Sequence, residues 1–101
     1  MKNDQDQFSI LNILGKNKNL TQRKLAGKLG FSLGKMNYLL KALHKKGLIK
    51  INRFKKNKNK IRYFYVLTPI GVSKRSKMAI TFMKRKMEEY ERLREDISNY
   101  D

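Results

Sequence analysis

The run Thr21-Gln22-Arg23-Lys24-Leu25-Ala26-Gly27-Lys28-Leu29-Gly30-Phe31-Ser32-Leu33-Gly34-Lys35-Met36-Asn37-Tyr38-Leu39-Leu40-Lys41-Ala42-Leu43 decides the fold. It reads as two helices around a tight turn. Thr21 is a good N-cap, and Leu20 before it can pack on Leu25 as a hydrophobic staple. Leu25, Ala26 and Leu29 form the inner side of this helix, and Gly30-Phe31-Ser32 is the turn. Ser32 caps the next helix, with Phe31 stapled onto Met36. Leu33, Met36, Leu40 and Leu43 make its apolar stripe, and Gly47 ends it behind Lys45 and Lys46. Two helices joined by a Gly-containing turn form a helix-turn-helix unit.

Upstream, Phe8, Ile10, Leu11, Ile13 and Leu14 recur at helical spacing, predicting a supporting helix over about 5–14 that Gly15 ends. Downstream, Leu48–Phe54 and Ile61–Leu67 are β-rich and flank Lys55-Lys56-Asn57-Lys58-Asn59-Lys60, a hairpin with a basic tip. A symmetric register pairs Ile49 with Val66 and Ile51 with Phe64. It also sets Arg53 opposite Arg62, a repulsion that a phosphate between them would relieve. Thr68-Pro69 then opens a last helix, with Leu67 stapled onto Val72. This helix runs to about Asn99, and Ile80, Met83, Met87, Tyr90, Leu93, Ile97 and Tyr100 lie along it as an apolar seam.

The predicted fold is therefore mainly α with a small β-hairpin: a winged helix-turn-helix over 1–68 and a long C-terminal dimerisation helix over 69–101, in one compact unit. Ile80, Met83, Met87, Tyr90, Leu93 and Ile97 are the expected dimer interface.

Charge placement points to a partner. The 101 residues carry 25 Lys and Arg against 8 Asp and Glu, a net charge of +17. All the basic residues except Lys2, Arg92 and Arg94 fall between Asp6 and Glu88, where no acid occurs. Such a segment repels itself unless an anion shares the load, and polyphosphate is the obvious anion. A solubility surface would mix both signs. A membrane partner would need the cations on one face of an amphipathic helix, but they are spread over several elements.

The same pattern excludes much chemistry. The chain has no Cys, so disulfides and thiolate metal sites are out. His44 is the only His and has no acid near it in sequence. A nuclease needs clustered carboxylates, and here they sit at the two ends. No phosphate-binding or dinucleotide-binding glycine loop and no nucleophile elbow occurs. No enzyme activity, metal or cofactor is expected. No apolar run reaches the ~20 residues of a membrane span, and Met1-Lys2-Asn3-Asp4-Gln5-Asp6 is unlike a signal peptide. The expected location is cytoplasmic.

The helix-turn-helix stretch resembles that of MarR-type (multiple-antibiotic-resistance type) regulators. Gly47-Leu48-Ile49 opening the wing fits, as does Leu67-Thr68-Pro69-Ile70-Gly71 after it. Ser32-Leu33-Gly34-Lys35-Met36-Asn37-Tyr38 and Phe82-Met83-Lys84-Arg85-Lys86-Met87-Glu88-Glu89-Tyr90-Glu91 resemble the motifs of a subgroup, the MarR-family exopolysaccharide-associated transcriptional regulators. The resemblance covers roughly residues 8–98. It implies a winged helix-turn-helix regulator of transcription; the exopolysaccharide link comes from the subgroup's name, and no residue carries it. The chain departs from the family at Lys24, where Glu is common, and in its short N-terminal helix. Small-molecule sensing is therefore not carried over, and no effector is identified.

Candidate DNA contacts follow from the helical wheel. With Met36, Leu40 and Leu43 inward, Gly34, Tyr38, Lys41 and Lys45 point outward, flanked by Lys35 and Asn37. Asn37 can pair bidentately with adenine, and Tyr38 can pack on a thymine methyl or bond a phosphate. Gly34 is costly inside a helix unless something approaches closely, either a phosphate or the second helix. Lys24 and Lys35 each place a cation at a helix N-terminus, a penalty that a bound phosphate would reverse. Gln22, Arg23 and Ser32 lie at the same helix starts. Arg53, Lys55, Lys56, Lys58, Lys60 and Arg62 would follow the backbone or enter a minor groove. The expected partners are double-stranded DNA and a second copy of the chain. An RNA-binding or nucleoid-structuring winged helix, using Tyr63, Phe64 and Tyr65, is the alternative, and a protein-association scaffold a more distant one.

Overall fold

The computed structural model describes residues 2–57 and 60–100, and for Lys2, Asn3, Lys56 and Asn57 the backbone alone. The elements run α1 (Lys2–Lys16), α2 (Gln22–Leu29), α3 (Leu33–Lys45), β1 (Ile49–Asn57), β2 (Lys60–Leu67) and α4 (Pro69–Ser98). This is a winged helix-turn-helix carrying a long C-terminal helix.

Local chemistry sets each helix start. Thr21, Ser32 and Thr68 have extended backbones, and their hydroxyls accept from the N–H of Lys24, Lys35 and Gly71 respectively. Each satisfies one amide that the helix leaves without a partner. Gly30 closes α2 at φ +70°, a left-handed conformation that costs a residue with a Cβ more than glycine. Its N–H and that of Phe31 both reach the Ala26 carbonyl. α1 begins earlier than expected and continues through Gly15 to Lys16. Gly15 therefore does not end the helix. The Arg75 guanidinium of α4 lies where a Cβ on Gly15 would stand.

The core gathers Ile10, Leu11 and Leu14 of α1, Leu20, Leu25 and Ala26, Met36, Leu39, Leu40 and Leu43 of α3, and Leu48 and Ile49. Leu39 is fully buried, whereas Leu33 is 48% exposed. The apolar stripe of α3 thus runs through Met36, Leu39, Leu40 and Leu43, and Leu33 is not part of it. Val72 is also exposed, so the proposed Leu67 staple does not bury it.

The wing corrects the sequence reading in two ways. The strands extend into the basic segment, pairing Lys55 with Ile61 and Asn57 with Lys60 across an irregularity. The register is also one residue off the symmetric one: Ile49 faces Leu67, Ile51 faces Tyr65, Arg53 faces Tyr63 and Phe54 faces Arg62. Because alternate residues point to opposite faces, Arg53 and Arg62 lie on opposite sides of the hairpin and the expected repulsion is absent. Two tertiary hydrogen bonds hold this register. The Tyr65 N–H donates to the Leu20 carbonyl (2.9 Å), and the Thr68 N–H donates to the Leu48 carbonyl (3.1 Å).

The start of α4 is locked onto the entry to β1. Thr68 Oγ1 donates to the Gly47 carbonyl at 2.6 Å. Gly71 is buried so closely against the Leu48 carbonyl that a Cβ there would overlap it. From this anchor α4 passes α1, where Met78 packs on the core and the Phe8 and Phe82 rings stand 5.1 Å apart. It then leaves the body of the domain, giving a longest dimension of 70 Å.

Candidate nucleic-acid interface

α3 presents one polar face. With Met36, Leu39, Leu40 and Leu43 buried beneath it, Gly34, Lys35, Asn37, Tyr38, Lys41 and Lys45 are all exposed, Tyr38 at 62%. A Cβ on Gly34 would meet nothing within 4 Å. Close approach of the second helix therefore does not explain this glycine, and the space above it is open.

The start of α3 is fixed from three sides. The Ser32 hydroxyl caps it, and Gln22 Nε2 donates to the Leu33 carbonyl at 3.1 Å. Gln22 thus has its amide engaged with the first residue of α3, linking the two helices. Lys35 Nζ meets Asp6 Oδ2 at 2.9 Å and lies 4.1 Å from the centre of the Phe31 ring. The sequence separates Asp6 from the basic segment, but folding places it at the mouth of α3. No sequence pattern marked this contact, because nothing local links residues 6 and 35.

α2 and the wing frame a groove. Thr21, Gln22, Arg23 and Lys24 form one wall, and Ile61 to Tyr65 form the other. Arg23 and Lys24 are exposed, and among the described residues no carboxylate pairs with either. The wing adds exposed Arg53, Lys55, Lys60 and Arg62. Arg53, Lys55, Ile61 and Tyr63 share the hairpin face that also carries Tyr65, and Arg62 shares the other with Phe54. Burial pushes the Tyr65 phenol above its ordinary pKa. Lys56 lies in β1 by its backbone. Lys58, expected at the tip, lies outside the described residues.

Exposed cations thus occur at the start of α2, on the outer face of α3 and on both faces of the wing. Tyr63 and Phe54 add exposed aromatic surface, with Phe54 edge-on to Phe64. The acids that pair with cations among the described residues are Asp6, Glu89 and Glu91. Only Asp6 belongs to this face. Among the described residues no group of His, Cys, Asp and Glu could hold a metal, and no helix is long and apolar enough to cross a membrane.

On α4, the seam residues Ile80, Met83, Met87, Tyr90, Leu93 and Ile97 are 50% to 67% exposed. Met78 and Phe82, on the side turned toward α1, are partly buried.

Comparison with known proteins agrees with the fold. Residues 4–50 match the family described as winged helix-turn-helix DNA-binding. No curated protein matches the chain. Among solved structures, the chain is similar to a PadR-like transcriptional regulator from Bacillus cereus (TM-score 0.76, 19% identity, covering 86% of this chain and 89% of that one). It is also similar to the transcriptional repressor CouR bound to a 23-mer DNA duplex (0.72, 23%, 82% and 57%). A third likeness is to Staphylococcus aureus MarR in complex with salicylate and kanamycin (0.70, 21%, 86% and 57%). The chain spans little more than half the length of the last two. It is a winged helix-turn-helix chain with the fold of the MarR-type regulators, built from three helices, a wing and one long C-terminal helix.

Proposed function

We propose that the chain is a sequence-specific, double-stranded-DNA-binding transcriptional regulator of MarR type that acts as a homodimer. The observation that carries this reading is the exposed polar face of α3, with its capped start, in a domain whose α2 start and wing also expose cations. Asn37 and Tyr38 lie on that face in the N-terminal part of α3, where a helix lying in a major groove reads bases. Arg23, Lys24, Arg53, Lys55, Lys60 and Arg62 flank that reading head as phosphate contacts, which position the protein without specifying sequence. Lys41 and Lys45 extend the contact along the groove. In this reading residues 1–68 form the DNA-binding unit and 69–101 the pairing helix, and the protein works in the cytoplasm. CouR, whose fold this chain shares, is seen on a duplex, which supports double-stranded DNA over RNA. The resemblance to exopolysaccharide-associated regulators supports exopolysaccharide genes as targets.

Selection of bound duplexes from a random pool tests the proposal. A homodimer with two reading helices enriches a two-fold symmetric site, its halves about one helical turn or a multiple of it apart. Recovery of unrelated sequences at background frequency would instead favour a nucleoid-structuring role.

A further inference from the structure

The exposed seam of α4 is turned away from α1, and its charges are laid out in blocks. From Lys74 to Lys86 the helix carries Lys74, Arg75, Lys77, Lys84, Arg85 and Lys86 and no acid. From Glu88 to Asp96 it carries Glu88, Glu89, Glu91, Glu95 and Asp96 against Arg92 and Arg94. The sign changes at Met87, within the seam. Ion pairing inside the helix uses little of this charge. Lys86 meets Glu89 at 3.5 Å and Arg94 meets Glu91 at 3.9 Å, all four well exposed. A projecting, solvated helix with such an apolar stripe needs a second surface, since most helical stability comes from burying the stripe.

We infer that the occupant of this seam is the α4 of a second copy, running antiparallel and centred between Glu88 and Glu89. This rests on the homodimer reading above and adds its geometry. In that register Met87 faces the partner's Tyr90, Ile80 faces the partner's Ile97, and Met83 faces the partner's Arg94. Lys84, Arg85 and Lys86 of each helix lie along the stretch of the other that holds Glu91, Glu95 and Asp96, with Lys84 flanking the seam beside the partner's Glu91. A parallel, in-register pair sets the whole of each block on its own copy, not Glu88 and Glu89 alone, and puts Arg94 against its own copy inside the seam, a like-charge contact with little water to screen it. It also brings two strongly basic domains to the same end of the helix pair, whereas the antiparallel pair holds them at opposite ends.

The absence of Cys makes the test direct, because one engineered Cys gives one labelled site per chain. Full-length Ser73→Cys and Glu89→Cys carry spin labels at exposed positions, and distances between copies are read by pulsed electron resonance. In the antiparallel register the two Glu89→Cys sites lie almost level, whereas the two Ser73→Cys sites are about 46 Å apart along the axis. A short distance at Glu89→Cys with a long one at Ser73→Cys supports the proposal. Short distances at both sites mean a parallel pair and overturn it, leaving the homodimer intact. No dipolar signal, together with a monomer mass in sedimentation, overturns both the antiparallel pair and the homodimer. Duplex binding, titrated on the same samples, reports on DNA recognition separately. As a second readout, Lys84→Glu and Glu91→Lys each weaken self-association severalfold, and an equal mixture of the two restores it. No recovery on mixing contradicts the charge register.

Discussion

Asp6 Oδ2 sits 2.9 Å from Lys35 Nζ, so a carboxylate from α1 holds a cation at the very start of α3. Both side chains are partly exposed, and such a pair stabilises by about 0–1 kcal/mol. Under the proposed function its larger effect is on recognition, because a DNA phosphate reaching Lys35 would compete with Asp6. Asp6→Asn is expected to lower the melting temperature only slightly. It should raise affinity for a random duplex by up to about 5-fold, the equivalent of roughly 1 kcal/mol. Melting curves and anisotropy titrations check both arms. Unchanged affinity would remove Lys35 from the contact.

Gly34→Ala separates stability from binding. The added methyl meets nothing within 4 Å, so the helix gains up to about 1 kcal/mol. If the backbone there approaches a phosphate, duplex affinity falls although the protein is more stable. Higher stability with full affinity would leave Gly34 without a role in binding.

Asn37→Ala addresses base reading. With the selected site in hand, the variant should lose roughly 1–3 kcal/mol of discrimination at one base pair of each half-site while keeping its affinity for random duplex. Binding to all sequences weakened alike would make Asn37 a positioning residue.

Gly71→Ala probes the lock between wing and α4. A Cβ there overlaps the Leu48 carbonyl, a backbone group also engaged by the Thr68 N–H. Overpacking of this kind costs about 1–3 kcal/mol. In a domain of this size each kcal/mol lowers the melting temperature by about 4–8 °C. A change within error would mean that the Leu48 carbonyl can move aside freely.

These contacts show what the sequence could disclose. Thr21, Ser32 and Thr68 were legible as caps because capping is settled within three residues of chain. The α3 face was legible because one helical turn fixes which side chains share a direction. The wing register was not. Ile61-Arg62-Tyr63-Phe64-Tyr65-Val66-Leu67 places good strand formers on both faces, so alternation does not choose between registers one residue apart. The choice is made by Leu20 and Leu48, whose carbonyls bind Tyr65 and Thr68 from outside the hairpin. Asp6 was hidden for the same reason: its partner is 29 residues away in sequence. Gln22 stood among the candidate contacts by position, and only the folded turn showed its amide engaged with Leu33.

The most direct test of the central claim is the salt dependence of duplex binding by the intact protein, set beside that of a Lys55→Glu, Lys60→Glu variant. Tight binding of random duplex in dilute buffer and a steep fall as salt rises are expected. The logarithmic slope should be less steep in the variant by about 0.9 for each phosphate it no longer neutralises. No duplex binding even in dilute buffer would contradict the claim.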